Sequence, residues 1–160
     1  MKTRRYNRAK PWVKQNQPPQ GEPWIWLTIE MLESPAWRAL SGAAQKIVFR
    51  VAIEHMGHAG TENGNLVVTY DQFADYGVRR SSIPRAIREA EHLGWIRVVQ
   101  RGRGGNSEFR RASRYALAWL PTADGLLAGN AWKRFAGSEP ADMVLLTRKA
   151  RSKRWQSLAA

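Results

Sequence analysis

The chain has 160 residues, 43% of them hydrophobic, which is enough for one compact domain with a buried core and flanking tails. Its 26 Lys and Arg outnumber its 13 Asp and Glu, and the resulting formal charge of +13 makes a polyanion the usual partner. The absence of cysteine excludes disulfides, thiolate metal ligands and thiol catalysis. No apolar run approaches the ~18 residues of a membrane-spanning helix, so no membrane partner is expected.

The basic residues fall into three blocks around a nearly neutral body. Residues 1–21 hold six basic residues and no acid, residues 79–114 hold ten arginines against three glutamates, and residues 148–154 hold five basic residues and no acid. The segment 41–78 is close to neutral. This distribution predicts a core with one binding face and two basic arms.

The N-terminal third begins with a proline-containing segment and continues into short helices. Residues 1–23 contain four prolines and no hydrophobic period, which is typical of a flexible, disordered arm. Thr28 is expected to cap a single helical turn that runs through Glu33. Ser34-Pro35 is an N-cap and first-turn pair that predicts another short helix.

The first long helix is predicted from a hydrophobic period, with Ser41 as its cap and an end near Gly57. Its apolar stripe is Ala44, Ile47, Val48, Val51 and Ala52. A short strand at Leu66–Val68 follows, and Thr69-x-x-Gln72 forms a capping box that opens the next helix.

Another helix, the second of a pair with the helix that opens at Thr69, is predicted over residues 81–93, because apolar residues recur there at helical spacing. Placing Ser81 at the N-cap puts Pro84 at the third helical position, where its missing N–H costs nothing. Ile96 and Val98 then alternate with Arg97 in a strand. A glycine-rich tip precedes a returning strand that carries Tyr115, Leu117 and Trp119 and is stopped by Pro121.

Eight tryptophans are many for this length, and their surroundings divide them. Those in apolar surroundings are expected in the core: Trp24, Trp37, Trp95 and Trp119. Trp12 and Trp155 lie in the basic tails, where stacking on bases and loose packing on the body are both open.

The order helix, turn, helix, strand, Gly/Arg-rich tip and returning strand resembles the winged-helix superfamily of DNA-binding domains. The phrase YGVRRSSIPRAIREAEHLGWI is similar to the turn, recognition helix and strand of many bacterial regulators. The preceding WIWLTIEMLESPAWRALSGAAQKIVFR and ENGNLVVTYDQFADYG resemble prophage- and plasmid-borne proteins, some of them replication-initiator-like. The resemblance implies an α+β winged helix over residues 24–121, with a three-helix helix-turn-helix core and a small antiparallel sheet. Residues 1–23 would be the arm, and residues 122–160 a basic, partly helical extension.

The resemblance also implies which residues touch DNA. The N-terminal end of the helix at 81–93 would enter the major groove with Arg79, Arg80, Ser81, Ser82 and Arg85, while Arg88 meets the backbone. The wing at 101–111 would contact the backbone or the minor groove through Arg101, Arg103, Asn106, Arg110 and Arg111. The N-terminal arm would add Arg4, Arg5 and Arg8.

These features favour a sequence-specific double-stranded DNA-binding protein, a bacterial transcriptional regulator in the cytoplasm at the nucleoid. A plasmid or phage replication or recombination accessory and an RNA-binding protein are the alternatives. No nucleophile, base and acid set suggests an enzyme, and no cofactor is expected. His55-x-x-His58 is a weak metal signal, and packing is the preferred interpretation, so no metal is expected either. A homodimer and a small-molecule effector are left open.

Overall fold

The structure is a computed structural model, and it describes residues 18–103, 111–139 and 142. Within these residues it has an α+β fold of five α-helices and one three-stranded antiparallel sheet. The helices are α1 (Ile29–Glu33), α2 (Pro35–Arg38), α3 (Gly42–Gly57), α4 (Tyr70–Asp75) and α5 (Ile83–His92). The strands are β1 (Leu66–Val67), β2 (Ile96–Gln100) and β3 (Arg114–Leu117), and Arg80–Ser82 and Ala131–Phe135 form 3₁₀ turns. None of the described helices is long and apolar enough to cross a membrane.

Four of the helices begin with the side-chain caps that the sequence predicts. Thr28 accepts from the Met31 N–H at 3.2 Å, and Ser34 accepts from the Trp37 N–H at 3.1 Å. The hydroxyl of Ser41 caps α3 through the Ala44 N–H at 3.2 Å. The capping box of α4 is complete, because Thr69 accepts from the Gln72 N–H at 3.2 Å and Gln72 accepts from the Thr69 N–H at 2.8 Å.

The start of α5 differs from the prediction. Ser81 is not its N-cap, because residues Arg80–Ser82 form a 3₁₀ turn and the α-helix begins at Ile83. Pro84 therefore lies at the second helical position rather than the third, where proline is equally well tolerated. Ser82 occupies the N-cap position but makes no side-chain capping bond.

The core lies between α3, α5 and the sheet, and the predicted stripe of α3 is buried in it. Trp37, Trp95 and Trp119 are buried as predicted. The prediction for Trp24 was wrong, since this side chain is 60% exposed. The core begins further along the chain, at Met31 of α1, with Ile25 and Leu27 only partly buried against it.

Residues beyond the returning strand complete this core. Trp132 and Phe135 of the second 3₁₀ turn are buried in it, and the rings of Trp132 and Trp95 stack with centroids 5.6 Å apart. Gly94 allows this approach: a Cβ there would lie 2.5 Å from the backbone of Ala131, and its φ of +78° is a left-handed angle that favours glycine. No pattern in the sequence predicts a core role for this segment.

The sheet has the order β1–β3–β2, with every neighbouring pair antiparallel. Val98 pairs with Tyr115 and Gln100 pairs with Arg114, so Val99 is an extra residue in β2 and forms a bulge. Past the bulge, the backbones of Arg103 and Arg111 bridge the two arms of the hairpin at 2.9 and 3.2 Å.

The end of β3 away from the hairpin is held by one buried asparagine. The two N–H groups of the Asn63 side-chain amide donate to three carbonyls at 3.0–3.1 Å, those of Leu117, Leu120 and Pro121, so one N–H is shared between two of them. Its Oδ1 accepts from the Leu117 N–H at 2.7 Å. The loop between α3 and β1 therefore fixes the position of the sheet relative to the helices.

Candidate nucleic-acid interface

The N-terminal end of α5 carries the residues that the sequence predicts for contact with bases. Arg79, Arg80, Ser81 and Arg85 are exposed, and Ser82 is half-buried. Ser81 and Arg85 are four residues apart, and the 3₁₀ turn leads directly into α5, so they project near the same end of the helix. This end therefore presents hydroxyl and guanidinium donors together.

Arg80 is positioned by a carboxylate in the first turn of α4. Its guanidinium forms an ion pair with Asp71, and both side chains are largely exposed. Nearby, the Lys46 ammonium donates to the carbonyl of Gly77 at 3.0 Å, which brings a further cation to the turn between α4 and α5. Exposed ion pairs contribute little to stability, so the pair with Asp71 orients Arg80 more than it stabilises the fold.

Arg88 and Arg101 both line one small cleft, between α5 and the base of the hairpin. The cleft has a volume of about 170 Å³, and Tyr70, Ser113 and Tyr115 also line it. Arg101 contacts the Glu91 carboxylate at 3.0 Å, and the other oxygen of Glu91 accepts from the Val98 N–H at 3.1 Å. Glu91 thus connects α5 to both the strand and the start of the hairpin.

Arg103 and Arg111 line a wider groove next to this cleft. Its volume is about 580 Å³, and its opposite wall is the N-terminal end of α4 with Asp71. The groove and the cleft share Tyr70, Gly102 and Ser113, so they form one continuous surface. We call this surface the basic face: the groove, the cleft and the N-terminal end of α5.

The hydroxyl of Tyr115 is a buried donor at the cleft. Burial is the main reason that the pKa of Tyr115 rises to about 12, and the adjacent Ser113 opposes the rise. The hydroxyl lies beside Ser113 without the geometry of a hydrogen bond, and Arg88 Nε is also buried without a partner in the described structure. Tyr115 is therefore a neutral donor over the physiological pH range.

The structure brings together most of the predicted contact residues that it describes. Arg88 and Arg101 share the cleft, Arg103 and Arg111 share the groove, and Arg80 is tied to Asp71 on the groove wall. The other predicted contact residues lie outside the described residues: Arg4, Arg5, Arg8, Asn106 and Arg110. Trp12 and Trp155 lie outside them as well.

Sequence reasoning missed four residues of this face: Tyr70, Asp71, Ser113 and Tyr115. The capping box at Thr69 fixes Tyr70 and Asp71 in the first turn of α4, so the acid could have been noticed as a nearby partner for an arginine. No pattern in the neighbouring sequence distinguishes Ser113, and the alternation of the strand predicts Tyr115 only as an ordinary core residue.

The two histidines of the HxxH pattern form other contacts. His58 Nε2 lies 3.3 Å from a Glu54 carboxylate oxygen. His55 is buried, and burial, with a smaller effect of His58, lowers its pKa. Within the described residues no three His, Cys, Asp or Glu side chains cluster as metal ligands do.

The basic face offers hydrogen-bond donors and positive charge, with Asp71 and Glu91 as its carboxylates. No family model matches the chain, and no curated protein or solved structure matches it. Its chemistry suits an anionic ligand that is rich in acceptors and long enough to cover both a helix end and a hairpin.

Proposed function

We propose that this protein is a sequence-specific double-stranded DNA-binding protein with a winged-helix fold, acting as a bacterial transcriptional regulator in the cytoplasm at the nucleoid. In this proposal the N-terminal end of α5 enters the major groove. The β2–β3 hairpin is the wing and contacts the backbone or the minor groove. Together they would cover more than one turn of groove and backbone.

The order of elements supports this assignment. A long helix, a short helix, a turn and a third helix are followed by two antiparallel strands, and β1 joins the same sheet. Arginines concentrate on α5 and the hairpin rather than on α3, whose segment is nearly neutral. Positive charge concentrated on these two elements is what DNA binding through a helix and a wing requires.

The observation that carries the proposal is the N-terminal end of α5. Among the described α-helices, α5 alone begins without a side-chain cap, although two serines precede it. The hydroxyls of Ser81 and Ser82 are therefore not used to cap α5, and the positive end of the helix dipole favours a phosphate nearby. Arg85, exposed one turn into the helix, has the reach and geometry to pair with a guanine edge.

The test is selection of bound fragments from random duplex DNA at physiological salt, followed by sequencing. We expect one enriched motif, and a palindrome would indicate that a dimer binds. Tight, salt-sensitive binding with no enriched motif would contradict sequence-specific recognition, because it would mean that the charge acts through the backbone alone. The genomic positions of the motif would separate a regulator, which binds promoters, from a replication or recombination accessory, which binds origins or attachment sites.

Arg85→Ala tests directly whether α5 is the recognition helix. We expect affinity for the selected motif to fall by about 1–3 kcal/mol and specificity to relax at one base position. Arg38→Ala is the matched control, since Arg38 is an exposed helical arginine on α2, outside the basic face. Equal losses for the two variants would mean that Arg85 contributes only net charge.

A further inference from the structure

The cleft between α5 and the base of the hairpin contains two buried polar groups that no other described group satisfies. These are the Tyr115 hydroxyl and Arg88 Nε. Tyr115 is 0% exposed, and an unsatisfied buried group costs about 1–3 kcal/mol. The buried indole N–H groups without a partner belong instead to the aromatic cluster of Trp95, Trp119 and Trp132. Two unsatisfied donors at one opening indicate a missing acceptor.

The other polar groups of the cleft also face an acceptor better than a donor. The Gly102 N–H donates to Ser113 Oγ at 2.8 Å, which leaves the hydroxyl proton of Ser113 to be donated. Arg101 forms an ion pair with Glu91, whereas Arg88 forms no ion pair within the described residues. Among the described residues two guanidinium groups face one carboxylate, so the described part of the opening carries a net positive charge.

The size of the cleft limits what this acceptor is. Small-molecule pockets usually hold about 300–1,000 Å³. The cleft holds about 170 Å³, too little for a whole nucleotide but enough for a tetrahedral oxyanion. The neutral Tyr115 hydroxyl and the guanidinium groups are the donors that bind such an oxyanion most strongly.

We propose that this cleft binds one phosphate group, through Arg88, Arg101, Ser113 and Tyr115. The phosphate has two sources of the same chemistry. One is a single backbone phosphate of bound DNA, which rests on the proposed function and would fix the spacing between α5 and the hairpin on the duplex. The other is a free small molecule that carries a phosphate.

The first experiment uses inorganic phosphate and the full-length chain without DNA. Thermal unfolding is measured in phosphate and in chloride at matched ionic strength, for the natural chain, for Tyr115→Phe and for Tyr76→Phe. Phosphate stabilises proteins generally by exclusion from their surface, so the informative quantity is the difference between variants. We expect phosphate to raise the melting temperature of the natural chain and of Tyr76→Phe more than that of Tyr115→Phe. Tyr76 is an exposed tyrosine that does not line the cleft, which makes it the matched control.

The second experiment uses the selected DNA motif with one methylphosphonate at a time, which removes the charge of a single phosphate. We expect one position at which the neutral linkage weakens binding of the natural chain about tenfold but weakens binding of Tyr115→Phe by a clearly smaller factor, since that variant has already lost one hydrogen bond to the charged phosphate. Arg88→Gln should behave like Tyr115→Phe, and the exposed Arg97→Gln should behave like the natural chain. Arg88→Gln keeps the test valid if Tyr115→Phe does not fold.

The outcomes distinguish the two sources of the phosphate, and they distinguish failure of the phosphate site from failure of the proposed function. Coupling at one DNA position assigns the cleft to a backbone phosphate, and phosphate-specific stabilisation without such coupling assigns it to a free phosphate compound. If neither is seen, the phosphate site is overturned, although specific DNA binding would still stand on the selection and Arg85→Ala. If the chain selects no DNA motif, the thermal experiment still decides whether the cleft binds phosphate.

Discussion

The N-terminal end of α5 contrasts with the N-terminal ends of α1 to α4. In those four helices a Ser or Thr side chain caps the first turn, so the helix is closed by its own chain. In α5 a 3₁₀ turn leads into the helix without any side-chain cap, and the hydroxyls of the two serines there form no hydrogen bond within the described part of the chain. Capping is the arrangement that stabilises a helix, whereas an uncapped end is available to an external acceptor.

Although α5 has no side-chain cap of its own, it contributes a carboxylate to the cap of another helix. Its buried Glu89 accepts hydrogen bonds from the Ser41 N–H at 2.5 Å and from the Ser41 hydroxyl at 3.0 Å. A carboxylate of α5 thus completes the cap of α3, and the positive end of the α3 dipole stabilises its negative charge there. Glu89 thus joins α5 to α3, whereas the N-terminal end of α5 stays open where we propose that it meets DNA.

The largest expected effect comes from Glu89→Ala. Glu89 is 1% exposed, and its loss leaves two partly buried donors of Ser41 without their acceptor, so we expect the free energy of unfolding to fall by about 2 kcal/mol. Urea denaturation measures this change. Glu33→Ala, at an exposed glutamate at the end of α1, is the control and should change stability little. A loss below that of the control would show that the link between α3 and α5 does not stabilise the fold.

A pair of serine variants tests the contrast between capped and uncapped ends. Ser41→Ala should destabilise the protein by about 2 kcal/mol, because it removes a cap and a partner of Glu89. Ser82→Ala should change stability by less than about 0.5 kcal/mol, because Ser82 makes no capping bond. The double variant Ser81→Ala/Ser82→Ala should nevertheless weaken DNA binding several-fold. If Ser82→Ala destabilises as much as Ser41→Ala, the N-terminal end of α5 is capped after all.

The smallest expected effect on stability comes from Asp71→Asn. It removes the exposed partner of Arg80, which should change the free energy of unfolding by less than about 1 kcal/mol. Affinity for random DNA should rise and specificity for the selected motif should fall, because Arg80 gains freedom and a negative charge leaves the groove. Binding measured on selected and random duplexes at several salt concentrations checks this. Tighter binding to both duplexes with unchanged specificity would mean that Asp71 contributes charge without orienting Arg80.

The features that could be predicted from the sequence are those set by near neighbours. Ser34-Pro35, Ser41 and the Thr69-x-x-Gln72 box act within three or four residues, and the structure confirms each as a helix start. The apolar period of α3 depends on one helix alone and is also confirmed. The basic face was predicted in part, because its arginines are concentrated in one stretch of the chain.

The features that could not be predicted depend on contacts distant in sequence. Trp24 has apolar neighbours, but its burial depends on whether another element covers it, and none of the described elements does so fully. Trp132 reaches the core only because Gly94 lets the backbone approach. Ser81 and Ser82 are equally good caps in sequence, and the preceding 3₁₀ turn decides that neither acts as one.

The bulge at Val99 has a consequence for how the length of this segment can vary. Side chains alternate across a strand, so a change of one residue turns everything beyond it to the other face. Val99 is the exception, because it is the extra residue between the pairs Val98–Tyr115 and Gln100–Arg114: its deletion would leave both pairs in register, and Arg101 and Arg103 would keep their faces. One residue can therefore be lost at the bulge without turning the hairpin arginines, whereas one residue inserted directly after Gln100 would turn Arg101 and Arg103 to the other face while the charge stayed the same.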